Sequence, residues 1–246
     1  MDVRWLTVFI DQPADRFEAS TAFWRAVTES DRSPARGDRD QFATLVPPTG
    51  DPYVRVQQTF DESRIHIDLH VPSIPHARQE AEALGATVLA EPGHLIMASP
   101  NGLVFCLVGH HGESTAPTPI GGDTPYSVDQ VCIDVQADRF ESEAAFWAEL
   151  TGWERNVGAL DEFHWLARPA GLPVRVLLQR LGADDTGGPV RAHLDVACGA
   201  HGSEIATQHE RLGATRGSEG RFWIAMTDPA GLPYCLTQRD PVTGGL

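Results

Sequence analysis

Ala14-Asp15-Arg16-Phe17-Glu18 recurs 123 residues later as Ala137-Asp138-Arg139-Phe140-Glu141, and both copies run on into an aromatic pair, Phe23-Trp24 and Phe146-Trp147. In a chain of 246 residues that offset is half the length. Later landmarks keep the correspondence with a small drift: His66 and His193 are 127 apart, Gly85 and Gly213 are 128 apart, and Cys106 and Cys235 are 129 apart. Loop insertions of a few residues produce such a drift without disturbing the elements they connect. The chain therefore reads as a tandem duplication, with one copy over residues 1–109, a Pro/Gly/Thr-rich linker over 110–126 and a second copy over 127–242. Either half is long enough to bury a core.

Each copy is itself a repeat of strand, helix and strands. Residues 3–10 are β-branched and aromatic and predict a strand. Asp15 is a good helix N-cap with Glu18 three residues on, and Phe17, Trp24 and Val27 fall on one helical face; Asp138, Glu141, Phe140 and Trp147 repeat the device. Polar residues 29–41 predict a loop, and residues 42–46 and 53–59 two strands around a Pro/Gly turn. Ile65-His66-Ile67-Asp68-Leu69-His70-Val71 alternates strictly, so His66, Asp68 and His70 share one face of a strand, successive members about 7 Å apart. A helix capped by Ser73 and stopped by Gly85 follows, then short strands at 87–90, 95–98 and 103–108.

Composition narrows the function. The net charge is −15 and no basic run occurs, which excludes the phosphate-neutralising surface of a nucleic-acid binder. All nineteen cationic side chains are Arg, which removes every mechanism that needs a lysine, whether a Schiff base or a phosphate-loop amine. The cysteines, Cys106, Cys132 and Cys235 among them, sit in apolar strand-like runs and read as small buried hydrophobes rather than as a disulfide framework. There is no signal-peptide pattern and no membrane-length apolar run, so a cytoplasmic protein is expected, with no membrane partner.

The order of these motifs resembles the glyoxalase-like, vicinal-oxygen-chelate superfamily. The resemblance rests on Ala22-Phe23-Trp24, Ala145 through Trp153, His193-Leu194-Asp195-Val196, Leu212-Gly213-Ala214-Thr215 and Asp228 through Leu236, with Leu84-Gly85-Ala86-Thr87, Ser99-Pro100-Asn101-Gly102 and Phe105-Cys106-Leu107 as their first-copy counterparts. It implies an α+β fold of two tandem glyoxalase/bleomycin-resistance-type domains. Each would have two βαβββ modules, with curved mixed sheets around a small-molecule cleft and helices on the convex side. Members of the family include glyoxalases, epimerases, extradiol dioxygenases and antibiotic-sequestering proteins that need no metal. The metal-binding members use a His or Gln on the first strand of a module and a Glu on the last.

Carried onto this chain, those positions are Thr7, Gln58, His66 and Cys106 in the first copy and Gln130, Gln179, His193 and Cys235 in the second. None is a carboxylate, and hydroxyl and amide groups are poor ligands for zinc or for hard divalent ions. No cofactor is therefore expected; a divalent metal, if bound, would use His66, His70 and His193. The second copy keeps His193 and Asp195 but has Ala197 where the first has His70, which makes a shared His-Asp pair the common feature.

The expected protein binds a small organic metabolite or antibiotic and sequesters or transforms it. His66, Asp68, His193 and Asp195 are the candidate catalytic residues. Thr7, Gln58, Gln130 and Gln179 are candidate polar contacts, and Trp5, Trp165 and Trp223 are either stacking residues or core. The alternative is a metal-dependent lyase, isomerase or extradiol-type dioxygenase of the same family. The chain would act as a monomer or homodimer. His110 and His111 open the linker and are expected to be solvated, His209 to pack on a helix, and His164 to line the second cleft or lie at the surface.

Overall fold

The computed structural model describes residues 1–60, 63–185 and 188–246. The first module comprises β1 (Trp5–Pro13), α1 (Ala14–Val27), β2 (Asp31–Arg32), β3 (Phe42–Val46) and β4 (Val54–Thr59). The second comprises β5 (Arg64–Val71), α2 (Ile74–Ala83), β6 (Thr87–Ala90), β7 (Leu95–Ala98) and β8 (Val104–Gly109). The third comprises β9 (Ser127–Val135), α3 (Phe140–Thr151), β10 (Arg155–Val157), β11 (Phe163–Leu166) and β12 (Arg175–Arg180). The fourth comprises β13 (Arg191–Ala197), α4 (Gly202–Arg211), β14 (Thr215–Glu219), β15 (Trp223–Thr227) and β16 (Pro233–Thr237).

The strands form two eight-stranded mixed sheets of one order, β2-β3-β4-β1-β5-β8-β7-β6 and β10-β11-β12-β9-β13-β16-β15-β14. Within every module the last strand lies beside the first, so the nested duplication is the observed α+β architecture. No helix among the described residues is long and apolar enough to cross a membrane.

Two local readings are corrected. The predicted loop over 29–41 contains the short strand β2, and β10 is its counterpart. Asp15 and Asp138 cap nothing: α1 starts at Ala14 after Pro13, α3 starts at Phe140 after Arg139, and neither has a side-chain cap. The glutamates expected to complete those caps bind guanidinium groups instead. Glu18 accepts from Arg32 at 2.8 and 3.0 Å, and Glu141 from Arg155 at 3.0 and 3.1 Å. In each pair one terminal guanidinium nitrogen reaches both carboxylate oxygens, and the pair ties the helix to the following short strand. Ser73 does cap α2, accepting from His76 N, and Gly85 follows that helix with φ +94°.

Close contacts divide the chain into two compact units, and each draws on both copies. One holds Met1–Val8, His66–Thr115 and Val131–Ala192; the other holds Phe9–Ile65, Ala116–Gln130 and His193–Leu246. In the first, Phe105 of β8 packs on Phe146 and Trp147 of α3, ring centroids 6.0 and 5.4 Å apart. In the second, Tyr234 of β16 packs on Phe23 and Trp24 of α1 at 5.7 and 5.2 Å. The aromatic pair that announced the repeat is thus the core seam of each unit, and Trp24 and Trp147 are fully buried.

Each seam carries one buried acid, placed on opposite partners. In the second unit the acid is Asp228, on the turn before β16. Its Oδ2 accepts from Ser20 Oγ at 2.8 Å and Trp24 Nε1 at 3.1 Å, and its Oδ1 from the backbone N–H groups of Ala230 and Leu232. In the first unit the acid is Glu143, on α3, which accepts from Trp147 Nε1 at 2.8 Å and from Asn101 Nδ2 at 3.0 Å. Indole N–H groups buried at a seam need such an acceptor.

Candidate functional site

β5 and β13 are buried along nearly their whole length, covered on both faces, so the polar residues on them must find partners inside the protein. The period of two places His66 and Asp68 on one face. The parallel register of β5 with β8 sets Cys106 opposite Asp68, and that of β13 with β16 sets Cys235 opposite Asp195. The two copies therefore present the same constellation of His, Asp and Cys.

The spacing between imidazole and carboxylate is nearly the same in both. His66 Nε2 lies 3.5 Å from Asp68 Oδ1, and His193 Nε2 lies 3.3 Å from Asp195 Oδ1. Cys235 Sγ is 3.6 Å from His193 Nε2, and donor atoms of His66, Asp68 and Cys106 all fall within 4.8 Å of one another. Both histidines and both aspartates are buried. Burial pushes the Cys106 thiol up from its usual value, the His66 hydrogen bond opposing that rise and Asp68 adding to it, so Cys106 stays a thiol at neutral pH.

The copies differ in what the first strand adds. Gln130 on β9 donates its amide Nε2 to Asp195 Oδ2, extending the second-copy chain to Gln130–Asp195–His193–Cys235. Thr7 on β1 is fully buried, and its Oγ1 lies 2.8 Å from His70 Nε2, so its hydroxyl is engaged by the histidine the second copy lacks. Gln58 and Gln179 are half-buried, with Gln179 Oε1 3.9 Å from Cys132 Sγ. Trp5 is core at 1% exposure. Trp165 and Trp223 are half-buried, and the Arg175 guanidinium sits 5.2 Å over the Trp165 ring.

Three other histidines find their places. His164 is not at the surface: it is buried, packs edge-on to Phe140 of α3 at 5.0 Å and accepts from Arg155 Nε at 2.7 Å. Burial and then the Arg155 charge lower its pKa. His209 packs as expected, buried with Nδ1 2.9 Å from the Tyr234 hydroxyl. His110 is only partly solvated. Its Nδ1 lies 3.5 Å from Glu113 Oε2, and the same oxygen is 3.8 Å from His70 Nδ1.

Glu113 is the residue the sequence reading overlooked, because nothing in a Pro/Gly/Thr-rich linker marks one carboxylate from another. The only available signal was its spacing, three residues after His110. Burial acts to raise its pKa. Its own backbone N–H, His70, the His111 N–H and His110 outweigh that, and the net shift is downward.

The donors at the positions named from the resemblance are engaged with other side chains. Thr7 lies against His70 and Gln130 against Asp195. Zinc and harder ions ask for thiolate, imidazole or carboxylate. The carboxylate that does reach each histidine comes from two residues further along the same strand.

The family model described as a glyoxalase-like domain matches the chain twice, over residues 7–108 and 130–237. No curated protein sequence matches the chain significantly. Among solved structures, a variant of 4-hydroxymandelate synthase from Streptomyces coelicolor superposes with a TM-score of 0.62 at 14% identity, covering 99% of this chain and 94% of the other. A 2,2',3-trihydroxybiphenyl 1,2-dioxygenase from Sphingomonas wittichii gives 0.62 at 17%, covering 100% and 93%. An extradiol ring-cleaving dioxygenase from B. fuscum gives 0.64 at 13%, covering 99% and 74%. Identities this low speak for a shared fold alone.

Proposed function

Because the chain belongs to the glyoxalase-like domain family, one domain in each half, we propose that it binds a small organic molecule beside each buried His-Asp pair and sequesters or transforms it without a metal at the superfamily's ligand positions. The two domains are residues 1–109 and 127–242, joined by 110–126. The observation that carries this reading is the recurrence of one His-Asp-Cys constellation in both copies, at 3.5 and 3.3 Å between imidazole and carboxylate. Two copies that have drifted apart elsewhere agree here.

The chemistry follows from the pair. An aspartate beside Nε2 favours the tautomer that carries its proton there and leaves the second ring nitrogen as the acceptor, the form a general base needs. The neighbouring Cys thiol and, in the second copy, the Gln130 amide hold the pair in place and give a ligand hydroxyl or carbonyl its orientation. A pocket of this kind is apolar with a few placed polar groups. The structural neighbours are named for hydroxylated aromatics, and these are the first compounds to test.

Titrating chelator-treated full-length protein with a panel of phenols, catechols and aromatic 2-hydroxy acids, read by Trp fluorescence and calorimetry, tests the proposal. Two sites are expected, falling to one in His66→Gln or His193→Gln and to none in the double variant. Undiminished binding by the double variant would sink it. One observation favours a second reading, a metal-dependent lyase, isomerase or dioxygenase: His66, Asp68 and Cys106 stand within 4.8 Å of one another. Under that reading, chelation abolishes binding or turnover, a divalent ion restores it, and His66→Gln removes the ion.

A further inference from the structure

We infer that His70, His110 and Glu113 form a divalent transition-metal site of the zinc class, present in the first copy only and separate from both His-Asp-Cys constellations. The three side chains offer two imidazole nitrogens and one carboxylate oxygen, all within 4.8 Å of one another. Glu113 Oε2 is 3.8 Å from His70 Nδ1 and 3.5 Å from His110 Nδ1. Zinc bound to nitrogen and oxygen at 2.0–2.1 Å in tetrahedral geometry sets its ligands about 3.3 Å apart. The two spacings to Glu113 are within a few tenths of an ångström of that value. Three protein ligands leave a fourth position for water or an exogenous ligand.

Each ligand is placed by the backbone around it. His70 sits near the end of β5, its side chain 1% exposed. His110 follows β8 directly and continues the strand pairing, its N–H bonded to Val71 O at 3.1 Å. The chain then turns at Gly112, whose φ of +105° few other residues tolerate, and so returns Glu113 to the two imidazoles. The His111 N–H donates to Glu113 Oε2 at 3.2 Å and fixes the carboxylate. The His110 and Glu113 side chains are 24% and 15% exposed, which separates the group from a chance cluster of surface charges.

The outer shell has the form metal-bound histidines require. Thr7 Oγ1 lies 2.8 Å from His70 Nε2. With Nε2–H donating to that hydroxyl, Nδ1 carries the lone pair that a metal needs, and the ring cannot rotate away.

The second copy supplies an internal control. At the offsets that relate β5 to β13 and β8 to β16, His70 becomes Ala197, His110 becomes Arg239 and Glu113 becomes Val242. Arg239 is buried and pairs with Asp129 through Nε at 2.9 Å and a terminal nitrogen at 2.7 Å. That copy has a buried permanent cation at the sequence position that matches His110. The first copy has two imidazoles and a carboxylate there, a set that calls for a cation from outside.

The test uses full-length protein stripped with chelator, then titrated with Zn²⁺ by calorimetry and with Co²⁺ for its visible absorption, with bound metal measured after dialysis. One ion per chain is expected, with a tetrahedral Co²⁺ spectrum. His110→Ala and Glu113→Gln, both partly exposed positions that the fold tolerates, each abolish stoichiometric retention. Thr7→Val weakens affinity by about 10- to 100-fold through the outer shell. Failure of the unmodified chain to retain an ion overturns the inference. So does an ion kept by the His110→Ala/Glu113→Gln double variant. An ion lost in His66→Gln but kept in His110→Ala belongs to the metal-dependent reading above, and equally overturns this one.

Discussion

His209 carries no charge at neutral pH, because burial between Phe23, Tyr126 and Tyr234 lowers its pKa from 6.5 to about 4. The unfolded chain binds that proton near pH 6.5 and the folded chain only near pH 4, so between these values the unfolded state holds the extra proton. Stability is complete above pH 6.5 and falls as the pH drops through this window, by about 3 kcal/mol in all. Urea titrations should show the slope, and His209→Gln should flatten it; a variant with the same slope assigns the effect to other groups. His209 could be read from the sequence as a packing residue because its helical spacing put it on an apolar face. His110 could not, since its partners come from a strand forty residues earlier and a turn made by Gly112. His66 and Asp68 were legible because a period of two states which residues share a face. Their Cys neighbours were legible as positions and not as contacts, because strand register is set by pairing that the sequence does not write down.

At the level of elements, α1 and α3 are held by acids supplied from opposite sides of their seams. Asp228→Ala strands Ser20 Oγ, Trp24 Nε1 and two backbone N–H groups, and should cost about 3 kcal/mol or more in urea unfolding. Asp228→Asn keeps an acceptor and should cost visibly less; equal losses would mean that the site needs the charge rather than the bonds. Glu143→Ala is the corresponding change at α3, where Trp147 and Asn101 lose their acceptor. The positions of nearly all strands and helices followed from periodicity and from Gly/Pro punctuation. The caps did not, because Asp15 and Glu18 have the right spacing for a capping box while Arg32, fourteen residues from Glu18, competes for the glutamate.

On the scale of the molecule, the repeat was plain in the sequence but the exchange of modules was not. Nothing in residues 1–109 states that Trp24 will lie against Tyr234, since the drift between copies records descent and carries no information about docking. Residues 1–115 produced alone would leave Phe23, Trp24 and Phe105 without Tyr234, Phe146 and Trp147 to cover them. That fragment should pair with a second copy of itself or aggregate, as light scattering would report, and a stable monomer would contradict the packing described. Seen this way, the chain is a heterodimer whose subunits are joined end to end. In a symmetric dimer every substitution is made twice, and a change that suits one site is forced on the other. Covalent joining removes that constraint, so His110 and Arg239 can stand at one address and ask opposite things of their surroundings.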